Sequence, residues 1–343
     1  MKNSKFFTSF FLLVVLIMAG CSSATNQTEG QAEEKSGELK KITIAEPVHL
    51  IGYLPLYTAI HEGYFEEEGL DVEVITATGG GHVTSVVGGD AWGNIGGPES
   101  NAMANVGNPD PIVSVVNVVN RANVYLMAST DYTLKDDSKE ALAEFLKGKT
   151  IAAGRYGGSP NLLTRWLLME LGLDPDKDVR LEEPADPTTV VSLVENGNAD
   201  MANGAEPQIY EGIIKGVWDE PFYGFPSLGD YPYSVLSVKK SSIEEDPETV
   251  QSFVNAVLKG LKAVNENEEL AMKILKIEFP TTDEKSLQAA LDRAYADHLW
   301  SVDGYISKES IDKMMDVVQK TGVFKEEYQY DDWIDMRFVE QAK

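Results

Sequence analysis

Four glycine-rich segments hold the side chains of this sequence best placed for recognition chemistry. The first is His49 to Pro55, where Tyr53 stands just before a run of helix-forming residues. The first N–H groups of a helix have no partner within it, so such a loop offers donors to a ligand. Tyr53 either stacks on that ligand or packs between helix and sheet. The second segment is Gly79-Gly80-Gly81-His82. Glycine lets the backbone approach a bound group closely, and a helix beginning near His82 presents free N–H groups and a positive dipole end to an anion. His82 is either a contact or an exposed first-turn residue. The run lacks the Gly-Lys-Ser/Thr ending of a nucleotide P-loop, which argues against ATP.

The third segment, Gly97-Pro98-Glu99-Ser100-Asn101, has a counterpart in Gly204-Ala205-Glu206-Pro207-Gln208. Glu99 and Glu206 suit an amine, amidine or ring N–H, or else act as first-turn acids that favour the helix dipole. Ser100 and Asn101 are further candidates. The fourth is Gly154-Arg155-Tyr156-Gly157-Gly158-Ser159-Pro160-Asn161. The Arg155 fork matches the paired oxygens of a carboxylate or sulfonate, and it equally suits a surface acid. Gly158 and Asn161 flank Ser159, which is placed to cap a helix begun by Pro160. Tyr233 and its neighbour Tyr231 suit stacking or the core.

Catalytic chemistry finds little to work with. The single cysteine is Cys21, and the four histidines (His49, His61, His82 and His298) show no paired metal-ligand spacing. No Gly-x-Ser-x-Gly elbow occurs. We expect no catalytic residue, no metal site and no cofactor.

The elements that position these loops come in two copies. Lys41-Ile42-Thr43-Ile44-Ala45 is echoed by Lys149-Thr150-Ile151-Ala152-Ala153, both reading as buried strands. Helices are predicted over Leu56 to Glu68 and Leu162 to Leu171. Each ends on glycine and runs into Gly-Leu-Asp, at Gly69-Leu70-Asp71 and Gly172-Leu173-Asp174. Strands follow over Val72 to Thr76 and Val179 to Glu182, then helices over His82 to Val87 and Thr188 to Glu195. This order implies parallel α/β layers, and ligands in such sheets bind beyond the carboxyl ends of the strands. Two facing copies place both loop sets on one cleft. Pro111 to Ala128 reads as the exit from the first lobe, Pro232 to Val238 as the returning strand, and the chain from Asp246 onward as helical. The expected organisation is residues 40–129 with 233–343 as one lobe and 130–232 as the other.

The first residues have their own logic. Lys2 and Lys5, then a short apolar run from Phe6 to Met18, describe a secretory signal over residues 1–20. Ala19-Gly20-Cys21 resembles the bacterial lipobox, with Met18 where leucine is usual; the resemblance implies lipidation at Cys21. Residues 21–39 are small, polar and charged, and read as a tether. The formal charge is -26 for the whole chain and about -28 without the signal, which argues against nucleic acid and against docking on anionic lipid through basic patches.

Gly52-Tyr53-Leu54-Pro55-Leu56 and Gly63-Tyr64-Phe65-Glu66-Glu67-Glu68-Gly69-Leu70-Asp71-Val72-Glu73 resemble the start of ABC-importer binding proteins for nitrate, sulfonates, taurine and thiamine-type pyrimidine precursors. Gly88-Gly89-Asp90, Leu146-Lys147-Gly148-Lys149-Thr150-Ile151 and Gly197-Asn198-Ala199-Asp200 continue the likeness, which runs from Ile42 to Leu261. It implies a two-lobe periplasmic-binding-protein-like fold of type II, with the cleft between the lobes. It also implies a monomer that captures a small organic solute, docks on an ABC permease with its ATPase, and meets the membrane through a lipid anchor alone. A pyrimidine-like or other nitrogen-containing solute is expected, with sulfonate, taurine or nitrate as the alternative. The same broad family includes pyrimidine-synthase enzymes that use a cysteine-rich motif, which this body lacks.

Overall fold

A computed structural model describes residues 38–342. The signal segment, Cys21 and nearly all of the expected tether lie outside the described residues. Among the described residues, ten strands form two five-stranded sheets. They are β1 (Lys40–Glu46), β2 (Leu70–Thr76), β3 (Gly93–Gly96), β4 (Ile112–Val119), β5 (Tyr125–Ala128), β6 (Thr150–Ala152), β7 (Arg180–Glu182), β8 (Met201–Gly204), β9 (Tyr223–Gly224) and β10 (Ser234–Lys239). The first sheet runs β2-β1-β3-β10-β4 and the second β7-β6-β8-β5-β9. In each, three parallel strands are linked by helical crossovers, as parallel pairing requires. A fourth strand, β10 or β5, lies antiparallel beside the third. The doubled strand–helix order of the sequence is thus two sheets of one topology, the architecture of the periplasmic-binding-protein fold. The chain passes between sheets twice, from β4 to β5 and from β9 to β10.

Local sequence explains the elements and one departure. β4 is buried along its whole length, in keeping with its run of valines, and pairs with β10. The helix predicted over Leu56 to Glu68 is two helices, Leu54–His61 and Tyr64–Glu67. Gly63 sits between them at φ 75, a left-handed conformation that ends the first helix and starts the second. The helix Pro247–Glu266 is capped by Asp246, which accepts from the Thr249 N–H at 3.2 Å. Its Phe253, Val254, Val257 and Leu261 are fully buried, and it packs on helix Leu54–His61. Farther along, helix Glu284–Ala296 contacts both Ile51–Tyr53 and helix Gln208–Ile214, while helix Lys308–Lys320 lies on helix Ser159–Glu170 of the second sheet.

Candidate binding cleft

The carboxyl ends of both sheets' parallel strands open on one cavity of about 130 Å³. A buried water needs roughly 10–15 Å³, so the space suits a small molecule. β1 delivers Pro47, Val48 and Leu50; the turn after β2 delivers Gly79, Gly80 and His82; β3 delivers Gly97 and Ser100. From the opposite side come Arg155, Gly158 and Ser159 after β6, Ala185 and Pro187 after β7, and Ala205 and Gln208 after β8. The two inter-sheet passages add Asn123 with Val124 and Tyr233 with Ser234. The walls are mostly apolar, with a few polar groups converging on the space.

Of the residues singled out in the sequence, Tyr53, Gly80, His82, Ser100, Arg155, Gly158, Ser159 and Tyr233 line this cavity. Tyr53 is buried and hydrogen-bonded to the Ser234 side chain; burial holds its phenol in the neutral form by raising its pKa. Tyr233 is likewise buried, with its pKa raised by the same cause, whereas Tyr231 is core and lies off the cavity. His82 is not an exposed first-turn residue: it is 4% exposed. Burial, followed by the positive charge of Arg155, lowers its pKa from 6.5 to about 4, so the ring is neutral at neutral pH. Its buried Nδ1 has no hydrogen-bond partner among the described residues. Arg155 is half-buried and donates to the Tyr156 carbonyl at 3.1 Å, with its guanidinium carbon 3.9 Å from where a Cβ on Gly80 would lie. It therefore reaches from the second sheet's loop toward the first sheet's glycine turn.

Gly81, Glu99, Asn101, Asn161 and Glu206 do not line the cavity. Gly81 is the first residue of helix Gly81–Gly88. Asn101 belongs to a buried chain: Asn94 donates to it at 2.9 Å, and it donates to Ser237 Oγ at 3.0 Å. Asn161 donates to Glu183 at 2.9 Å and accepts from Arg165 at 3.1 Å, which ties the Ser159–Glu170 helix to the end of β7. Arg165 also pairs with Glu183 at 2.7 Å and Asp176 at 2.8 Å. Glu206 is buried and meets Arg293 Nε at 3.0 Å, away from the cavity; burial raises its pKa and Arg293 opposes the rise. Glu99 is also buried, with its pKa raised by burial, and it accepts a short hydrogen bond from Ser159 Oγ. That contact joins a helix of the first sheet to a helix of the second across the cleft.

Sequence reasoning missed two amides. Asn123 and Gln208 are 5% and 6% exposed and line the cavity, and their side-chain amides have no hydrogen-bond partner among the described residues. Asn123 also borders a void of about 10 Å³ on the Arg293 side, room for no more than one water. Gln208 sits in the echo of the Glu99 loop, so that echo was its available signal. Asn123 lies in the passage from β4 to β5 and has no local pattern to mark it. Asn203, which also lines the cavity, donates through Nδ2 to the Ala153 and Pro160 carbonyls and to Thr164 Oγ1. Among the described residues no group of three or more His, Cys, Asp or Glu is arranged to hold a metal ion, and no helix is long and apolar enough to cross a membrane.

Known proteins share this arrangement. The chain is similar to the binding protein YtlA of Bacillus subtilis, at 26% identity over 307 residues, 89% of this chain and 90% of that one. It is similar to a formylaminopyrimidine-binding protein of Halalkalibacterium halodurans, at 27% identity over 327 residues, 85% of this chain and 87% of that one. Two solved structures share its fold. The periplasmic nitrate-binding protein NrtA of Synechocystis has a TM-score of 0.74 at 16% identity, covering 89% of this chain and 88% of NrtA. The ligand-binding component of an ABC-type import system from Staphylococcus aureus has a TM-score of 0.72 at 15% identity, covering 89% of this chain and 99% of that one. The NMT1-like family model matches residues 36–277, most of the chain and every residue that lines the cleft, and the chain therefore belongs to the NMT1-like family.

Proposed function

We propose that this chain is the solute-binding component of an ABC importer and that its cleft holds a small, uncharged, nitrogen-containing solute of the pyrimidine class. The observation that carries this reading is the set of unpartnered polar groups in the cavity wall. Buried polar groups are normally hydrogen-bonded, and leaving one without a partner costs about 1–3 kcal/mol. Neutral His82 keeps a buried Nδ1 without a partner among the described residues, and the side-chain amides of Asn123 and Gln208, which line the cavity, make no hydrogen bond among them. A carboxamide offers both N–H donors and a carbonyl acceptor, and a neutral imidazole has one of each. An aminopyrimidine presents the matching alternation on a flat ring, with Tyr53, Tyr233, Pro47 and Pro187 as apolar walls. The likeness to a formylaminopyrimidine-binding protein supports the same class.

In this reading the two sheets are the cores of two lobes, the passages at 120–124 and 225–233 are the hinges, and closure presents the solute to the permease. Residues 1–20 direct export and Cys21 carries the lipid that keeps the binder at the membrane. Calorimetric titration against aminopyrimidines, taurine, alkanesulfonates and nitrate tests the solute class. Saturable binding of an aminopyrimidine without turnover is expected; binding confined to the sulfonates or nitrate assigns the cleft to anions held by Arg155 instead. Export and anchoring have a separate check, because Cys21→Ala should move the protein from the membrane to the soluble fraction with its affinity unchanged.

A further inference from the structure

The helix Pro98–Asn105 begins at the cleft, where Gly97 and Ser100 line the cavity. Such a start attracts an anion, because its first N–H groups are unpaired and its dipole is positive there. In this protein the place is already taken. The Glu99 side chain folds back over its own helix start, so close to Gly97 that a methyl group on that residue would overlap both carboxyl oxygens and the carbon between them. Only glycine leaves room for this return. The carboxyl group accepts from its own backbone N–H and from Ser159 Oγ across the cleft, and the charge of Arg155 acts on it. It is 2% exposed. The cavity wall also holds the buried His82, whose Nδ1 lacks a partner among the described residues, and the Ser100 hydroxyl, also unbonded among them.

We propose that Glu99 is a specificity determinant: a tethered carboxylate that occupies the cleft's anion position and bars sulfonates, nitrate and carboxylates from it. The inference rests on the reading of this cavity as the solute site, and it deepens that reading by naming what the site rejects. A solute anion would have to displace the Glu99 carboxyl group, which blocks the position by its bulk and, when ionised, also by repulsion, and like charges repel more strongly in a space of low polarity than in water. Two donors that an anion would use there, the Glu99 N–H and the Ser159 hydroxyl, are spent on the Glu99 carboxyl group.

The test uses the full-length protein with Glu99→Ala and Glu99→Gln, titrated with inorganic sulfate, nitrate and methanesulfonate. The wild type is expected to show no saturable binding of these probes. Glu99→Ala, which empties the position, is expected to bind at least one of them at least tenfold more tightly than the wild type does. Glu99→Gln, which removes the charge and keeps the bulk, should show a smaller gain and guards against a folding defect in the alanine variant. Two results overturn the inference: a wild type that binds the probes in the cleft, or folded Ala and Gln variants that both remain blind to them. Aminopyrimidine titration of the wild type separates this outcome from the solute class. Binding there with no gain of anions in the variants removes the role of Glu99 alone; a gain of anions with no aminopyrimidine binding removes the pyrimidine class alone.

Discussion

At the scale of single residues, the cleft is governed by which polar groups have partners. Gln208 and Asn123 have none, so each should report directly on solute. Gln208→Ala and Asn123→Ala are expected to weaken binding by about 1–3 kcal/mol apiece, the usual cost of leaving a buried partner unsatisfied, and to change thermal stability little in the absence of solute; titration calorimetry and melting curves check both. A third residue acts through charge. His49 lies between Glu46 at 3.0 Å and Glu278 at 3.2 Å, with His61 on the far oxygen of Glu278 and the Tyr57 and Phe279 rings against it. Tyr57 and Thr76 also bond Glu46. Burial alone would lower the pKa of His49, but hydrogen bonds and charge from Glu278 and Glu46 outweigh it and raise it from 6.5 to about 9. The proton is thus held more tightly in the folded chain, and its stabilisation is complete below pH 6.5 and lost as pH rises through about 9. The gap in melting temperature between wild type and His49→Gln should shrink across that window; a constant gap would refute the assignment. Little of this was legible in advance. Tyr53, His82, Arg155 and Ser159 stood out because glycine marked their loops. Asn101 and Asn161 stood in the same loops and are structural, because sequence adjacency does not say which way a side chain turns.

Elements explain why Glu99 and Glu206, matched in the sequence echo, diverge. Glu99 meets a serine across the cleft, whereas Glu206 meets an arginine on a helix that follows the returning strand. That helix, Glu284–Ala296, reaches the second sheet at several points. Arg293 pairs with Glu206 at 3.0 Å and Glu220 at 2.7 Å and lies 5.5 Å over the Tyr125 ring, and the Tyr125 hydroxyl bonds Asp297 just past the helix end. Arg293→Ala leaves the Glu206 carboxyl buried without its cation. We expect a loss of about 1–3 kcal/mol in urea unfolding, partly restored by adding Glu206→Gln; an additive double variant would show the two residues are uncoupled. The echo itself was readable because βα units repeat glycine stops and β-branched strands, which are local signals. The clasp was not, since Glu206 and Arg293 are brought together only by the tertiary fold.

For the whole molecule, the Ser159–Glu99 bond and the Arg293 clasp both join the parts that would separate in the proposed opening of the two lobes. Closure is therefore stabilised by contacts between protein groups as well as by solute, and a ligand shifts the balance only by its differential affinity for the closed form. Small-angle scattering should give a larger radius of gyration for Ser159→Ala with Arg293→Ala than for the wild type, and saturating solute should compact the variant; equal radii would mean the contacts do not govern opening. The α/β class, the two sheets and the return of the chain to the first were legible from strand order, which depends on periodicity. The place of β10 inside the first sheet was not, because register is a long-range property.

That place has a consequence for how the chain is made. β10 pairs with both β3 and β4, yet it leaves the ribosome after every strand of the other sheet. The sheet begun first is thus finished last, and until residue 239 emerges, β3 and β4 each show a bare edge to their surroundings. A growing polypeptide that cannot complete its opening sheet stays threadable, which suits the export proposed above. A chain ending at Gly229 should keep the β7-β6-β8-β5-β9 order intact while losing protection from protease in β1 to β4, and a fragment equally resistant throughout would contradict that dependence.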